Sequence, residues 1–385
     1  MNTSYKVLII GIITDKHIQR LICNLRNENP YAQIDFFATS MAKAVPDDVI
    51  RCINTFVLVN NRYSALSSFF IFKPVFKLFS TLRKLRSLEN KKYDAINIHY
   101  PCMHHYLYMY SLRKMTDVIL LTPWGSDVYR ANSLQMFFLK RLYMKADKVC
   151  CTDNRFGKDV KRIFNLPDSK LVKLDIGSET IDYICDNLEK VSKEDAKSFW
   201  GVDNKYVITC SYNGGEAHRH EIMIRAISKV RDHLPERLVL FFPFTYAGTH
   251  EYANRLKSLL DELHLDYLFF EKYLSVEELF KMRRSSDMFI HIQPTDANAQ
   301  SIQEYLLCGS KVVNGDWLRY SELEREGVLP YFLVKDLDSL NEAILNAFNS
   351  DSISIPESTI EYIKSYGWKS WIKKWNSFLL NCVNS

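Results

Sequence analysis

The sequence predicts an α/β protein of two doubly wound domains facing a cleft, and three observations carry that expectation. Short β-branched runs alternate with longer amphipathic segments, the order that parallel sheets with crossover helices require. The alternation is interrupted over 177–203 by a polar, lysine- and glutamate-bearing stretch, which reads as a connection, and then begins again. A chain of 385 residues exceeds one ordinary core and suits two such domains. The expected domains are 1–195, joined by a closing helix at 366–385, and 204–365.

Strands of the first domain are expected at 6–11, 34–37, 55–59, 95–98, 118–121 and 148–151. Helical periodicity falls between them, for example at 16–27, 134–145 and 155–164. The second cycle offers strands at 206–210, 238–242, 267–270, 287–292 and 311–313. Its helices fall at 220–230, 251–263, 276–283 and 301–308, and helical patterns at 337–348 and 362–380 close the chain. Ligands of doubly wound sheets bind beyond the carboxyl ends of the strands, which directs attention to the residues just after each strand.

Composition narrows the class. Hydrophobic residues at 47% and charged residues at 25% describe a packed globule rather than a disordered chain. The nine cysteines show no CxxC and no zinc spacing, so free thiols in a reducing compartment are expected. The amino terminus runs straight into the strand at 6–11, and no apolar run reaches the ~18 residues of a spanning helix. A cytoplasmic protein is expected. The formal charge of +5 is modest, and no broad basic surface points to nucleic acid.

Four turns after strands carry the candidate chemistry. In Gln293-Pro-Thr-Asp296 through Ser301-Ile-Gln-Glu304, the two carboxylates are separated by seven residues, one on a loop and one in the following helix. Gly309 ends that helix before the strand Lys311-Val-Val313. A loop carboxylate can accept from sugar hydroxyls, one two turns along can bind a ribose diol, and the helix start between them suits a diphosphate. An ordinary helix with an acidic cap reads the same way. In Leu121-Thr-Pro-Trp124-Gly125-Ser-Asp127, glycine lets a backbone approach a ligand, and the aspartate either accepts an acceptor hydroxyl or caps a helix.

The third turn, Cys210-Ser-Tyr-Asn213-Gly214-Gly215-Glu-Ala-His218-Arg219-His220, reads as a diphosphate cradle or as a polar loop of surface histidines. It is not a GxGxxG fingerprint. Fourth, His99 ends a strand in Asn97-Ile-His-Tyr-Pro101, with His104 and His105 close behind, and is a base or a structural histidine. Asp336-Leu-Asp338 matches a DxD metal motif literally, but its place before a helix reads as a cap. The segment 63–92 is rich in phenylalanine, lysine and arginine, with Glu89 nearly its only acid. It reads either as peripheral contact with an anionic membrane or as a helix with an aromatic core face.

Asp296-x7-Glu304, followed by Leu-Leu-Cys-Gly309 and a Lys-Val-Val strand, resembles the acidic-x7-Glu motif of retaining GT-B glycosyltransferases of the family-four type. Asp stands for the usual first Glu, Ala-Asn-Ala-Gln for the usual glycine loop, and Ser310-Lys311 for Gly-x-Pro. The resemblance implies Asp296 on the donor sugar, Glu304 on the ribose, and Ala299, Gln300 and Ser301 on the donor at the helix start. It implies Asn213, Gly214, Gly215, His218, Arg219 and His220 around the leaving diphosphate. Trp124 stands where many members have the histidine of His-Gly-x-Asp, so no imidazole role transfers; Trp124 and Gly125 are placed on the acceptor side, with Asp127 beside them. The turn at 210–220 is also similar to transferases that move 4-acetamido-fucose onto a lipid carrier with inversion. Gly11-Ile-Ile-Thr14 replaces the glycine-rich loop common after the first strand, and Tyr366-Gly-Trp368 resembles the start of the closing helix.

The implied protein is a hexosyltransferase-type enzyme with a GT-B fold. It would move a sugar from a nucleotide-sugar donor to a saccharide or lipid-linked saccharide acceptor in surface polysaccharide or O-antigen synthesis. Retention by front-face attack requires no side-chain nucleophile, and no metal or other cofactor is expected. The alternatives are an inverting transferase with His99 or Asp127 as base, a sugar-nucleotide epimerase of the same fold, and a non-catalytic sugar-nucleotide-binding protein.

Overall fold

The computed structural model describes residues 4–39, 45–59, 73–152, 154–296 and 300–383, and over 73–77 the backbone alone. The first half runs β1 (Lys6–Gly11), α1 (Lys16–Glu28), β2 (Gln33–Ala38), α2 (Asp47–Arg51), β3 (Thr55–Leu58), α3 (Lys73–Arg86), β4 (Ala95–His99) and α4 (Met103–Arg113). It continues with β5 (Ile119–Thr122), α5 (Ser126–Tyr129), α6 (Ser133–Lys145), β6 (Lys148–Cys150), α7 (Arg155–Phe164) and β7 (Leu171–Val172). Then come α8 (Glu179–Asn187), α9 (Lys193–Phe199), β8 (Tyr206–Cys210), α10 (His220–Lys229), β9 (Leu238–Phe242), α11 (His250–Glu262), β10 (Tyr267–Phe269) and α12 (Val276–Ser285). The chain ends with β11 (Met288–His291), α13 (Gln300–Leu307), β12 (Lys311–Gly315), β13 (Phe332–Val334), α14 (Leu340–Asn349), α15 (Glu357–Lys364) and α16 (Trp368–Cys382).

Two compact units result, Met1–Gly177 with Trp368–Ser385, and Ser178–Gly367. The first holds a parallel sheet in the order β3-β2-β1-β4-β5-β6-β7. Its central strands are apolar on both faces, as a covered parallel sheet demands. Leu8, Ile10, Ile96, Ile98 and Leu121 pack under α3, α4, α6 and α7. Val7, Ile9, Ala95 and Leu120 pack on the opposite face with α1 and the tryptophans of α16, Trp368, Trp371 and Trp375.

The second unit holds a parallel sheet in the order β10-β9-β8-β11-β12-β13. Ile208, Leu240, Met288 and Ile290 pack with α10, α11 and α14. On the other face Phe289 and Val312 meet Ile302 and Tyr305 of α13, and Val207, Val239 and Phe241 meet Met282 of α12. Each sheet reverses its winding between its first and fourth strands, β1/β4 and β8/β11, and such reversals are where doubly wound folds take ligands.

Three expectations differ from the structure. The stretch over 177–203 is not a plain connection: α8 and α9, each capped by a serine (Ser178 and Ser192), pack against α12. Ile181, Ile184 and Ala196 supply the buried face, and Lys193 and Lys197 both reach Asp287, at 3.0 and 2.8 Å. The units therefore divide at 177/178, ahead of the expected 195–204. The pattern over 362–380 is two helices, broken at Gly367, where an added Cβ would stand 2.1 Å from the Asp182 carboxylate. The short strands β7 and β13 were not expected; at two and three residues they are too brief to show a period.

Candidate functional site

In the second unit the turn after β8 is shaped by close backbone approach. Gly214 donates its N–H to Tyr246 O at 3.0 Å, and a Cβ on it would lie 2.6 Å from Phe244 and 2.9 Å from Gly248 Cα. Asn213 is buried and its Oδ1 accepts from Gly215 N at 2.8 Å, closing the turn. Ser211 and Arg219 take left-handed φ values of 63° and 62°, which turn the chain into α10.

The two histidines of this turn point inward, which is not the polar loop of surface histidines that was one reading of it. His218 is buried with Nδ1 on the Ser211 hydroxyl. His220 is buried with Nδ1 3.2 Å from the Tyr252 hydroxyl, and burial pushes its pKa down to about 3. His220 is therefore neutral near pH 7 and supplies no charge to a diphosphate. Half-buried Arg219 is the cation of this turn: it donates to Ile292 O at 3.2 Å and lies 5.7 Å over the Trp317 ring. It thereby ties the turn after β8 to the turn after β11.

That second turn is organised by His291, a residue the motifs did not single out. Its Nδ1 lies 3.0 Å from Asn314 Oδ1, while Asn314 Nδ2 donates to Gly315 O and Leu318 O and so keeps its oxygen toward the imidazole. His291 Nε2 stands 3.4 Å from Asp296 Oδ2, and the Tyr320 hydroxyl donates to the same oxygen at 3.1 Å. Tyr212 stacks on His291 at 5.9 Å and accepts from Gln293 Nε2 at 3.1 Å; Trp317 Nε1 donates to Gln293 O at 2.8 Å. The donor that holds Asp296 is the Tyr320 hydroxyl, from the segment after β12; with Nδ1 given to Asn314, His291 Nε2 lies beside the carboxylate without a hydrogen-bond partner.

Glu304 already has two partners in the structure. It is buried on α13, where Oε1 accepts from Ser178 Oγ at 3.2 Å and Oε2 from Arg283 Nε at 3.0 Å. Arg283, buried as well, also donates to the Tyr305 hydroxyl at 2.9 Å. Ser301 is buried and Gln300 half-buried in the first turn of α13; Ala299 lies outside the described residues.

In the first unit, His99 ends β4 fully enclosed. Trp124 Nε1 reaches its Nδ1 at 3.3 Å and the Asn97 amide meets Nε2 at 3.0 Å. Indole N–H can only donate, so Nδ1 accepts from Trp124, while Asn97 Oδ1 accepts from the Thr122 hydroxyl at 2.8 Å and leaves its Nδ2 toward the ring. Burial pushes His99 down to about 3. Both ring nitrogens are engaged, which removes His99 as a free base. His104 and His105 serve the start of α4, where His105 Nδ1 accepts from Cys102 N at 3.0 Å.

Trp124 stacks on Tyr100 at 4.8 Å, and the Tyr100 hydroxyl donates to Asp15 Oδ2 at 2.9 Å. Gly125, at φ 99°, makes the turn. Asp127 Oδ1 accepts from Trp124 N at 2.9 Å, while Oδ2 is buried without a hydrogen-bond partner. Burial raises the Asp127 carboxyl to about 6, against the opposing pull of backbone N–H donors from the turn. Asp336 accepts from Ser339 N at 2.9 Å and closes the turn ahead of α14, whose N-cap, Ser339, makes no side-chain cap hydrogen bond. Among the described residues no group of three His, Cys, Asp or Glu side chains is placed to hold a metal ion.

Arg283, His291 and Tyr320 escaped the sequence reading for different reasons. A polar residue closing an apolar strand, as His291 does, was a readable signal. Arg283 and Tyr320 act through partners 21 and 24 residues away that no spacing rule joins.

No protein-family model matches the chain, and no curated protein does. Solved structures do. A glycosyltransferase from Rickettsia africae ESF-5 is similar over 100% of both chains, with a TM-score of 0.71 and 14% identity. Sucrose-phosphate synthase from Thermosynechococcus elongatus is similar over 99% of both chains, with a TM-score of 0.71 and 14% identity. HepE from Anabaena, in complex with UDP and glucose, is similar over 99% of both chains, with a TM-score of 0.64 and 14% identity. The fold is GT-B. Within this GT-B chain, the turns after β8 and β11 belong to the second Rossmann-like unit, and those after β4 and β5 to the first. No helix among the described residues is long and apolar enough to cross a membrane.

Proposed function

We propose that the chain is a glycosyltransferase that moves a hexosyl-type sugar from a nucleotide carrier to a saccharide acceptor, with retention of configuration. The observation that carries this reading is the joining of Arg219, the Asn213-Gly214-Gly215 turn and Asp296, held by Tyr320, at the β8/β11 reversal. HepE, which shares the fold at low identity, has UDP and glucose bound, and this supports a nucleotide sugar as the donor here. In this reading Asp296 accepts from a donor-sugar hydroxyl. Arg219, with backbone N–H groups of its turn and the start of α13 at Gln300 and Ser301, stabilises the charge that develops as the diphosphate leaves. Glu304 reaches the ribose through acceptor positions that Ser178 and Arg283 leave on its carboxylate.

The first unit holds the acceptor beside Trp124 and Gly125, and the acceptor is a lipid-linked saccharide handled in the cytoplasm during surface polysaccharide synthesis. No side-chain nucleophile, metal or other cofactor is called on. One observation favours a second reading, inversion with Asp127 as base: its carboxyl titrates near 6 and one oxygen has no partner.

The test is a thermal-shift screen against UDP-, GDP-, dTDP- and CMP-sugars, followed by NMR of the anomeric proton of the product. A selective rise with one nucleotide, reduced in Asp296→Ala, supports the donor site. An α-linked product from an α-linked donor supports retention, and a β-linked product transfers the role to Asp127. No rise with any nucleotide sugar at millimolar concentration overturns the reading.

A further inference from the structure

The outward side of α3, α4 and α6 in the first unit is unlike the rest of the surface. Six of the eleven large hydrophobic side chains exposed among the described residues lie on these three helices. On α6 the solvent-facing stripe runs Leu134, Phe137, Arg141, Met144, at the three- and four-residue spacing that normally marks a buried face. Its inward residues are the separate set Leu139, Leu142 and Tyr143, so the outer stripe is surplus to the core. On α4, Leu107 and Tyr110 are exposed, the latter at 77%, while Tyr108, Met109 and Leu112 face the sheet. On α3, exposed Phe79 is followed by exposed Arg83 and Arg86 at the same spacing. The helix α4 packs against both α3 and α6, which makes the three stripes neighbours.

The helices of this face carry cations only, and the acid nearest to it is Glu89, just past α3, which pairs with Lys114 beside the Tyr110 ring. None of the three helices contains an aspartate or a glutamate. Arg83, Lys84, Lys140, Arg141 and Lys145 form no ion pair among the described residues. Arg141 lies over the Phe137 ring at 3.4 Å and Lys145 over Tyr106 at 5.1 Å, leaving each cation beside an aromatic ring. Aromatic and aliphatic tips interleaved with unpaired cations fit a surface that is apolar below and anionic above. Lysine is depleted at protein–protein interfaces, whereas Lys84, Lys140 and Lys145 around apolar tips suit a surface with anionic headgroups above acyl chains.

We propose that the outer face of α3, α4 and α6 docks the chain on an anionic lipid bilayer, with Leu107, Tyr110, Leu134, Phe137 and Met144 entering the headgroup–acyl boundary. Lys140, Arg141 and Lys145 sit at the phosphate level, where each cation adds attraction that salt screens. The proposal places the contact mainly on α4 and α6 rather than on 63–92 alone, and it does not depend on the donor chemistry above.

The experiment is sedimentation of the full chain with vesicles of phosphatidylglycerol and phosphatidylethanolamine, or of phosphatidylcholine alone, at low and high salt. Two variants accompany it, Leu134→Ser/Phe137→Ser and Lys140→Glu/Arg141→Glu/Lys145→Glu. All these positions are exposed, so thermal unfolding is expected to match the parent, and a sizing column reports self-association of each. Binding to the anionic vesicles that weakens at high salt, and falls roughly tenfold or more in each variant, is the expected result. No binding to anionic vesicles at low salt overturns the proposal, as does binding that both variants retain. A concentration-dependent dimer in the parent, lost in Leu134→Ser/Phe137→Ser while vesicle binding is absent, also overturns it by giving the face to a second copy of this chain. Donor-induced thermal shifts measured in parallel keep a failure here separate from a failure of the transferase reading.

Discussion

The ion pair of Arg283 with Glu304 sets a quantitative test, because both side chains are almost wholly out of water, at 5% and 7% exposure. Replacing Arg283 with methionine keeps the volume but strands a carboxylate whose other partner is the single Ser178 hydroxyl. Breaking a buried pair from one side costs about 3–5 kcal/mol, and the Tyr305 hydroxyl loses its donor as well. For a unit of this size that is a fall of about 10 °C in Tm. Glu304→Met strands the guanidinium and is expected to cost a similar amount. The double variant removes both charges, so its loss should be smaller than either single loss, a coupling of at least about 2 kcal/mol. Urea unfolding of the four proteins measures this directly. A loss below about 1 kcal/mol in Arg283→Met, or two single losses that simply add, would refute the buried-pair argument. Nucleotide-sugar affinity separates structure from recognition: the double variant should regain stability without regaining affinity if Glu304 also reaches the ribose.

Three further expectations follow from the same geometry. Tyr320→Phe removes the hydroxyl that donates to Asp296 Oδ2, a loss of about 1 kcal/mol, and should raise the donor KM roughly fivefold; unchanged donor kinetics would show that this contact does not matter. Asp127 has its folded-state carboxyl raised from 3.8 to about 6, so the folded protein holds this proton more tightly than the unfolded chain does. Its contribution is complete below about pH 4, is lost as pH rises through 6, and is level above that. Relative to Asp127→Asn, wild type should lose roughly 2–3 kcal/mol between pH 4 and 7, and parallel urea curves for the two proteins would sink the assignment. Gly214→Ala forces a methyl against Phe244 and Gly248 Cα and should cost about 1–3 kcal/mol with a matching drop in Tm, whereas an unchanged Tm would mean the β8 and β9 turns can part freely.

Much of the architecture was legible because parallel strands buried on both faces leave apolar runs that no other element produces. The runs at 206–210 and 238–242 coincide with β8 and β9, and the helix at 155–164 with α7. What stayed hidden lacked local contrast. In α8 and α9 a few buried residues are surrounded by charges that pair across the unit, as Lys193 and Lys197 do with Asp287, and the composition resembles a solvated linker. The break between α15 and α16 depends on Gly367 passing the Asp182 carboxylate, a contact made across 185 residues that helical periodicity cannot register.

The site shows the same limit more sharply. Strand ends were legible, since each of the four turns singled out follows a strand. They did not tell which way a side chain turns. His99, His218 and His220 all sit at such ends, and all three are enclosed, each held by a hydroxyl, an amide or an indole N–H. A neutral imidazole offers one donor and one acceptor, which makes it a good joint between loops and, once buried, a poor cation. The seven-residue spacing of Asp296 and Glu304 places one carboxylate on a loop and one two turns into α13. Their orientations come from elsewhere: Asp296 from Tyr320, and Glu304 from Arg283 and from Ser178, 126 residues earlier in the chain. Spacing within a motif therefore positions the backbone, and the groups that aim its carboxylates come from other elements of the fold. If that is so, Tyr320→Phe and Arg283→Met should disturb donor binding although both residues lie outside the motif.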